Sequence, residues 1–236
     1  MRKRVLEQPI DVISIEEAVY IVKAGLKNQR QLKIVTLNPE MIVKAHNNIE
    51  FQAAINSANL IIPDGTGIVW LLKAKGIQAE RIAGIDLAEV LLYFANEEKK
   101  SVAIFGSKKN TLEKCINNFT NRFPNINFVK SIDGYRKDYE NIAKEIAEHS
   151  PDIILVGLGA PRQDIWINKY SYLFPKSILI GIGGSIDVWS GRKPRAPMWM
   201  RKMNIEWLFR LIIDPKRTIR LLIALPVFLK ILYQNR

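Results

Sequence analysis

The feature that most restricts the fold is a set of short, almost unbroken apolar runs separated by amphipathic segments. The clearest runs are residues 101–106 (SVAIFG), 152–159 (DIILVGLG) and 177–184 (SILIGIGG). Runs of this length and composition are typical of strands buried on both faces, as in a parallel sheet. The amphipathic segments between them are predicted to be helices. The sequence therefore predicts an α/β fold, with a mostly parallel sheet covered by helices on both faces.

Caps and periodicity predict the other elements of the first 191 residues. Ser14 and Glu17 have the spacing of a capping box, and Asn38-Pro39-Glu40 has the pattern of an N-cap followed by proline at the first helical position. These patterns place helices after Ser14 and from Asn38 to His46. We predict further strands at 31–38, 59–62 and 126–132, and helices at 49–57, 66–75, 86–98, 110–122, 138–149 and 161–173.

Residues 192–236 differ from residues 1–191 in charge. Eleven Lys and Arg residues there are opposed only by Glu206 and Asp214, so this stretch carries most of the net charge of +12. Such an asymmetry indicates an anionic partner: nucleic acid, a phosphorylated substrate or lipid head groups.

The same stretch is also rich in aliphatic and aromatic residues. Two helices are predicted there, at 197–213 and 215–233, and the apolar run 221–229 is too short to span a bilayer. Two interpretations stay open: a basic amphipathic appendage that lies in the membrane interface, or a helical hairpin packed on the core. We therefore predict a core at 1–191 and an appendage at 192–236.

The compartment is predicted from the N-terminus and from the cysteine content. The first eleven residues, MRKRVLEQPID, include basic side chains but no apolar segment of the kind found in signal peptides. Cys115 is the single cysteine, so no internal disulfide can form and a buried packing role is expected. We expect a cytoplasmic protein.

Two glycine clusters follow apolar strands and are candidates for phosphate binding. They are residues 157–162 (GLGAPR) and 181–185 (GIGGS), and they include Gly183 and Gly184. Ligands of open α/β sheets bind beyond the carboxyl ends of the strands, where glycines allow backbone N–H groups to approach a phosphate. Neither cluster completes G-x-G-x-x-G or a P-loop, so tight strand-to-helix turns are the alternative.

Polar side chains end several of the predicted strands. Thr36 and Asn38 end one, Asp64 ends the next, and residues 162–164 (RQD) follow the strand at 152–159. Asn38 has an alternative role as an N-cap. Asp64 lies in IIPDGTG and could hold a metal, cap a helix or act as a base. No metal-spaced His/Cys cluster and no Asp-x-Asp motif occurs, so the sequence gives little support to a metal site.

Several stretches, in this order, resemble the WecG/TagA/CpsF glycosyltransferases, and the tail resembles the membrane-targeting appendage of the TagA branch. The resemblance implies a Rossmann-like core at the cytoplasmic face of the membrane, bound peripherally. It also implies transfer of N-acetylmannosamine from its UDP donor to the 4-hydroxyl of N-acetylglucosamine on undecaprenyl diphosphate. The implied reaction inverts the anomeric centre to give a β linkage and needs neither a metal nor a cofactor. Its product would serve the synthesis of wall teichoic acid. The matching stretches are VTLNPEM, ANLIIPDGTGIVW, RIAGIDL, VAIFGS, DIILVGLGAPRQDIWI and IGIGGSIDVWSG.

The resemblance also implies roles for individual residues. The family's catalytic aspartate corresponds to Asp64, and the glycines at 183 and 184 line the nucleotide pocket. The other residues implied in substrate binding are Thr36, Asn38, Arg81, Gln163, Arg210, Arg217 and Arg220. The last three are spaced by seven and three, and would share one face of a continuous helix, although Asp214-Pro215 argues against continuity and a solvated basic face is the alternative.

The donor sugar, the class of function and the oligomeric state stay open at the level of sequence. The donor sugar is not determined, because related enzymes transfer a mannosamine uronic acid or other sugars. A nucleic-acid-binding protein would explain the basic tail, although not its aliphatic content, and a nicotinamide-dependent oxidoreductase is disfavoured by the incomplete glycine motifs. The apolar tail is also compatible with a homodimer.

Overall fold

The computed structural model describes residues 1–203, 205–214 and 226–228. The predicted alternation of strands and helices is confirmed over the core. The strands are β1 (Arg2–Val5), β2 (Gln8–Asp11), β3 (Leu32–Leu37), β4 (Leu60–Pro63), β5 (Ser101–Gly106), β6 (Asn127–Ile132), β7 (Ile153–Gly157) and β8 (Ile178–Gly181). The helices are α1 (Ile15–Lys27), α2 (Pro39–His46), α3 (Ile49–Asn56), α4 (Thr66–Ala74), α5 (Gly84–Glu97), α6 (Lys109–Arg122), α7 (Tyr139–Ala147), α8 (Arg162–Tyr170), α9 (Ser185–Trp189), α10 (Met198–Lys202) and α11 (Glu206–Ile213).

The central sheet has the order β4-β3-β8-β7-β5-β6 within the described residues, and each neighbouring pair is parallel. This confirms the predicted α/β class. The register pairs Leu37 with Pro63 and Val156 with Gly181 near the carboxyl ends of their strands. The loops that follow β4, β3, β8 and β7 therefore leave the sheet side by side.

Alternate side chains of each inner strand enter different hydrophobic clusters. In β5, Val102 and Ile104 pack in the cluster under α1, α5 and α6, whereas Ala103 and Phe105 pack in the cluster under α7 and α8. This period of two, with both faces buried, explains why the strands appear in the sequence as continuous apolar runs.

The predicted helix starts are confirmed by their caps. Ser14 and Glu17 form the reciprocal capping box of α1, and the Asn38 side chain accepts a hydrogen bond from the Met41 backbone N–H (3.1 Å) at the start of α2. Cys115 is buried, as expected from its place on an apolar helix face.

The N-terminal hairpin β1–β2 is absent from the sequence prediction. Leu6 and Glu7 turn it at φ values of 48° and 67°, and neither residue carries the glycine signal of such a turn. Asp11 fixes the hairpin to the sheet, because its carboxylate accepts hydrogen bonds from Arg2 and from the Ile61 backbone N–H (2.8 Å) of β4. The hairpin thereby covers an edge that would otherwise be open.

The C-terminal prediction needs correction. The single helix expected at 197–213 is divided into α10 and α11, where the Ile205 N–H bonds to the Met200 carbonyl (3.0 Å). The break turns Glu206 inward, where it is 2% exposed. The predicted helix at 161–173 ends at Tyr170, and a 3-10 turn follows at Ser171–Leu173.

Most of the second predicted tail helix, 215–233, lies outside the described residues, and the boundary at 191/192 stays a prediction. Over the described part of the chain, no helix combines the length and apolarity needed to cross a membrane.

Candidate active site

The candidate site is formed where the loops after four adjacent strands meet. The parallel order places the ends of β4 and β3 beside the glycine loops that follow β8 and β7. Asp64 follows β4, and Thr36 and Asn38 lie at the end of β3. Ligands of open α/β sheets bind at this edge. The fold thus brings the predicted polar strand ends and the predicted glycine clusters to one edge of the sheet.

The loop that carries Asp64 is held closely against the start of α2. The Asp64 backbone N–H donates to the Leu37 carbonyl (2.8 Å). Gly65 has a φ of 115°, and a Cβ on Gly67 would lie 2.7 Å from Cγ of Pro39. Both positions therefore require glycine. The hydrogen bond to Leu37 and the packing against Pro39 fix the backbone of this short loop, and with it the position of the Asp64 Cα.

The Asp64 carboxylate does not cap the helix that follows it, α4, and forms no ion pair within the described residues, but it does interact with the backbone N–H of Gly84 at the start of α5. The N-cap of α4 is Gly65, without a side-chain capping bond, and the carboxylate has no ion-pair partner within 4.0 Å there. The side chain is partly buried. Capping of α4, the role considered at the level of sequence, therefore receives no support, whereas the start of α5 does use this carboxylate.

The surroundings raise the pKa of Asp64 above the ordinary aspartate value of 3.8. Desolvation is the largest cause, and the charge of Glu206 acts in the same direction. The charges of Arg210 and Arg81 and the backbone N–H of Gly84 at the start of α5 oppose it by favouring the carboxylate. A carboxylate with a raised pKa is a better proton acceptor than an ordinary one, provided it is ionised at the working pH.

Arg81, Glu206 and Arg210 form an ion cluster beside Asp64. Nη2 of Arg81 lies 2.9 Å from Oε2 of Glu206, and Nε of Arg210 lies 2.8 Å from Oε1. Nη2 of Arg210 contacts the same oxygen. Desolvation would raise the pKa of Glu206, but the two arginines outweigh it and lower the pKa to about 2. The predicted arginines 217 and 220 lie outside the described residues.

Thr36 and Asn38 both contribute to the local structure. A Cβ on Gly84 would lie 2.6 Å from Cγ2 of Thr36, so the threonine packs directly on the first residue of α5. Oδ1 of Asn38 caps α2, as the alternative interpretation expected. Thr36 is 8% exposed and Asn38 is partly exposed. Both lie next to the Asp64 loop, and the side-chain oxygen of Asn38 already accepts the capping hydrogen bond.

Gln163 joins the two glycine loops. Its Oε1 accepts hydrogen bonds from the backbone N–H of Gly159 (3.1 Å) and of Gly183 (3.0 Å), and the residue is 3% exposed. In this structure its carboxamide oxygen therefore serves to position the loops after β7 and β8.

The glycines after β8 leave the backbone accessible. Gly183 has a φ of 50°, which favours glycine, and a Cβ on Gly184 would meet no atom within 4 Å. Because no packing contact requires a glycine at 184, the open space above its backbone allows the close approach of a ligand.

Two acids have surroundings that the sequence did not predict. Glu206 was counted only as a charge within a basic tail, although its spacing of four from Arg210 signals a helical ion pair. Asp164 is 3% exposed, and neither carboxylate oxygen has a hydrogen-bond partner among the described residues. Desolvation raises its pKa to about 7, against the smaller opposing effects of its own backbone N–H, of Gln163 and of Lys44.

The described part of the chain contains no group of three or more His, Cys, Asp and Glu side chains arranged to hold a metal ion.

Comparison with known proteins identifies the family. The sequence model of the Glycosyl transferase WecG/TagA/CpsF family matches residues 3–236. The chain is 38% identical over 204 residues to the N-acetylglucosaminyldiphosphoundecaprenol N-acetyl-beta-D-mannosaminyltransferase of Bacillus subtilis (strain 168), which covers 86% of this chain and 80% of that protein. It is 35% identical over 228 residues to the protein of the same name from Staphylococcus aureus (strain NCTC 8325 / PS 47), which covers 95% of this chain and 89% of that protein. These matches over nearly the whole chain show that it belongs to the WecG/TagA/CpsF family and is a glycosyltransferase.

Proposed function

We propose that this enzyme transfers N-acetylmannosamine from UDP-N-acetylmannosamine to the 4-hydroxyl of N-acetylglucosamine on undecaprenyl diphosphate. The product would be the β-1,4-linked unit that joins wall teichoic acid to the cell wall. The names of relatives that are 35–40% identical over most of the chain support the acceptor and the transferred sugar. Membership of a glycosyltransferase family also favours this activity over nucleic-acid binding or nicotinamide chemistry.

The observation that carries the proposal is the state of Asp64. Its carboxylate lies at the ligand-binding edge of the sheet, forms no ion pair within the described residues and has a raised pKa. In an inverting transfer, the acceptor hydroxyl oxygen bonds to the anomeric carbon as the bond from that carbon to the UDP oxygen breaks. Asp64 would accept the hydroxyl proton on the face opposite the departing UDP.

The departing UDP gains negative charge, which the site must stabilise. We assign this role to the backbone N–H of Gly184, next to Gly183 whose own N–H donates to Gln163, and to arginines of the appendage, namely Arg210 and the predicted positions 217 and 220. Thr36, Asn38 and Gln163 would orient the sugar hydroxyls and the acetamido group, and Arg81 would bind near the same anion. Under this proposal the reaction needs no metal, so we expect full activity in the presence of EDTA.

The appendage would bind the enzyme to the cytoplasmic face of the membrane as a peripheral protein. α10 and α11 expose large apolar side chains, and α10 also carries Arg201 and Lys202. This combination fits an interfacial segment, in which apolar side chains enter the lipid and cations meet anionic head groups. The basic residues just before α10, at 192, 193 and 195, form ion pairs with Asp187, Asp214 and Asp86. The exposed apolar residues are Met198, Trp199, Met203, Trp207, Leu208 and Ile212.

The proposal is tested by transfer from a panel of UDP-sugars to a short-chain lipid diphosphate that carries N-acetylglucosamine. We expect UDP-N-acetylmannosamine to be the preferred donor and Asp64→Asn to lower kcat by about 100-fold to 10,000-fold, because the base is lost. Preference for a uronic acid or another hexose would overturn the donor assignment. Near-normal turnover by Asp64→Asn would overturn its role as base.

A further inference from the structure

We propose that Glu206 is a positioning residue for the transfer reaction, and that its carboxylate holds Arg81 of the core and Arg210 of α11 in one ion cluster against Asp64. The inference rests on the proposed role of Asp64 as base. Glu206 is one of only two acids in the basic stretch 192–236, and this proposal gives it a specific role in the site.

Geometry supports a specific role for this side chain. Glu206 is 2% exposed and uses both oxygens, one for Arg81 (2.9 Å) and one for Nε of Arg210 (2.8 Å). The buried Nε–H of Arg81 has no acceptor among the described residues, so the contact with Glu206 is the ion pair that the structure gives this guanidinium. Without Glu206, a largely buried cation would lose its counter-charge.

The contact joins two distant parts of the chain. Arg81 lies in the segment before α5, whereas Glu206 and Arg210 lie one turn apart on α11. The carboxylate is in the first turn of α11, where the helix dipole also favours negative charge. Because Glu206 binds both arginines at once, the seating of α11 and the orientation of Arg81 depend on the same carboxylate.

Stability alone does not account for such a cluster. Taking charges out of water costs free energy, and replacement of buried ion pairs by apolar side chains is often neutral or stabilising. A buried acid that faces two arginines next to a catalytic candidate is better explained by the charge and geometry that it imposes on the site.

The groups that face Asp64 determine in which direction its pKa should move when one of them is neutralised. They are Arg81 from the segment before α5, Glu206 and Arg210 from α11, and the backbone N–H of Gly84 from α5. In Glu206→Gln the carboxamide oxygen can still accept a hydrogen bond from an arginine while the negative charge is lost, so Asp64 should lose its proton at lower pH. Neutralising Arg210 removes a positive charge and should have the opposite effect.

The test measures kcat/KM against pH for the full chain, with UDP-N-acetylmannosamine and the short-chain lipid-linked acceptor. We expect Glu206→Gln to move the acid limb of the profile down by about 1 pH unit, and Arg210→Gln to move it up. Glu206→Asp, which keeps the charge, should leave the limb near its wild-type position. Glu145→Gln is the matched control, because it breaks an ion pair with Lys130 and Arg136 outside the site.

A purely structural role gives a different result. Lower activity of Glu206→Gln with an unmoved acid limb would overturn the inference, as would shifts of the same sign in both variants. Circular dichroism checks that Glu206→Gln folds. If it does not fold, the acid limb of Arg210→Gln is compared with that of Glu206→Asp. An acid limb that does not move in Arg210→Gln would then overturn the inference. Failure of the underlying function is distinguishable, because Asp64→Asn would then stay active.

Discussion

At the scale of single residues, the site depends on carboxylates whose surroundings differ. Asp64 has a raised pKa and no ion-pair partner within the described residues, whereas Glu206, enclosed by two arginines, has a pKa of about 2. Both are acids with similar intrinsic proton affinity, so the difference comes from their surroundings: desolvation dominates at Asp64, whereas direct contact with two arginines dominates at Glu206. Of the two, Asp64 is therefore the better proton acceptor.

The raised pKa of Asp64 predicts the pH dependence of transfer. A base is active when ionised, so kcat/KM should fall as the pH decreases through the pKa of the folded enzyme. Because that pKa is raised, the acid limb should lie above the ordinary aspartate value of 3.8. A pH–rate profile checks this, with circular dichroism at each pH as the control for folding. A limb at or below 3.8 would contradict the environment described for Asp64.

Asp164 predicts a pH-dependent loss of stability. Its pKa is about 7 in the folded protein against 3.8 for an ordinary aspartate, so the folded state holds the proton more tightly. The contribution of Asp164 to the free energy of unfolding is complete below pH 3.8 and is lost as the pH rises towards 7, by on the order of 1 kcal/mol for each pH unit between the two pKa values.

We therefore expect Asp164→Asn to raise the free energy of unfolding at pH 8 relative to wild type, and to have a smaller effect at pH 4.5. Urea unfolding at the two pH values measures the difference. Asp133→Asn, at a partly exposed site, is the control. An equal effect of Asp164→Asn at both pH values would show that the carboxylate of Asp164 is ionised at low pH as well.

At the scale of elements, close contacts between helix starts and strand ends shape the site. The first residue of α5, Gly84, touches Thr36 of β3, and Gly67 in the first turn of α4 touches Pro39 of α2. A side chain at either glycine would separate the elements that support Asp64. The glycines at these two positions therefore serve packing, whereas Gly184 meets no packing contact.

This contrast predicts different defects for two alanine variants. In Gly84→Ala, the new Cβ would lie 2.6 Å from Cγ2 of Thr36, so we expect a loss of stability of about 1 to 3 kcal/mol. In Gly184→Ala, no atom lies within 4 Å of the new Cβ, so the fold should be kept while KM for the UDP-sugar rises. Thermal unfolding and donor titration measure the two effects. Equal stability losses would contradict the assignment.

At the scale of the whole molecule, the exposed apolar surface of α10 and α11 lies in the same stretch of the chain, residues 192–236, that carries most of the positive charge. Trp199 is 58% exposed and Ile212 is 71% exposed. Side chains of this kind favour an interface with lipid, and cations beside them add affinity for anionic head groups. A homodimer that uses the same surface stays a prediction. Light scattering of the protein in solution would measure its oligomeric state.

The membrane proposal predicts that Trp199→Ser with Ile212→Ser weakens binding to vesicles of anionic phospholipid by about 10-fold or more, because two apolar side chains no longer enter the lipid. Sedimentation with vesicles measures the binding. Tyr20→Ser on α1 is the control, since Tyr20 is 74% exposed but lies outside the appendage. Equal binding by the double variant and wild type would place the membrane contact elsewhere.

Local patterns in the sequence determined most of the fold. Continuous apolar runs placed the inner strands, the caps at Ser14 and Asn38 placed two helices, and the strand ends placed Asp64 at the ligand-binding edge. These signals are read from residues a few positions apart. The hairpin β1–β2 was missed because Leu6 and Glu7 turn the chain without glycine, and the break before Glu206 was missed because it follows from burial.

The tertiary structure alone decided how the polar residues are used. The carboxamide oxygen of Gln163 bonds to two loops 24 residues apart, and Glu206 reaches Arg81, 125 residues away. The burial that gives Asp164 its raised pKa likewise comes from the packing of α8 on the sheet. Periodicity and capping depend on near neighbours, whereas desolvation and ion pairing depend on which distant segments the fold brings together. The sequence therefore predicted where the candidate site lies, and the tertiary structure decided the charge and proton affinity within it.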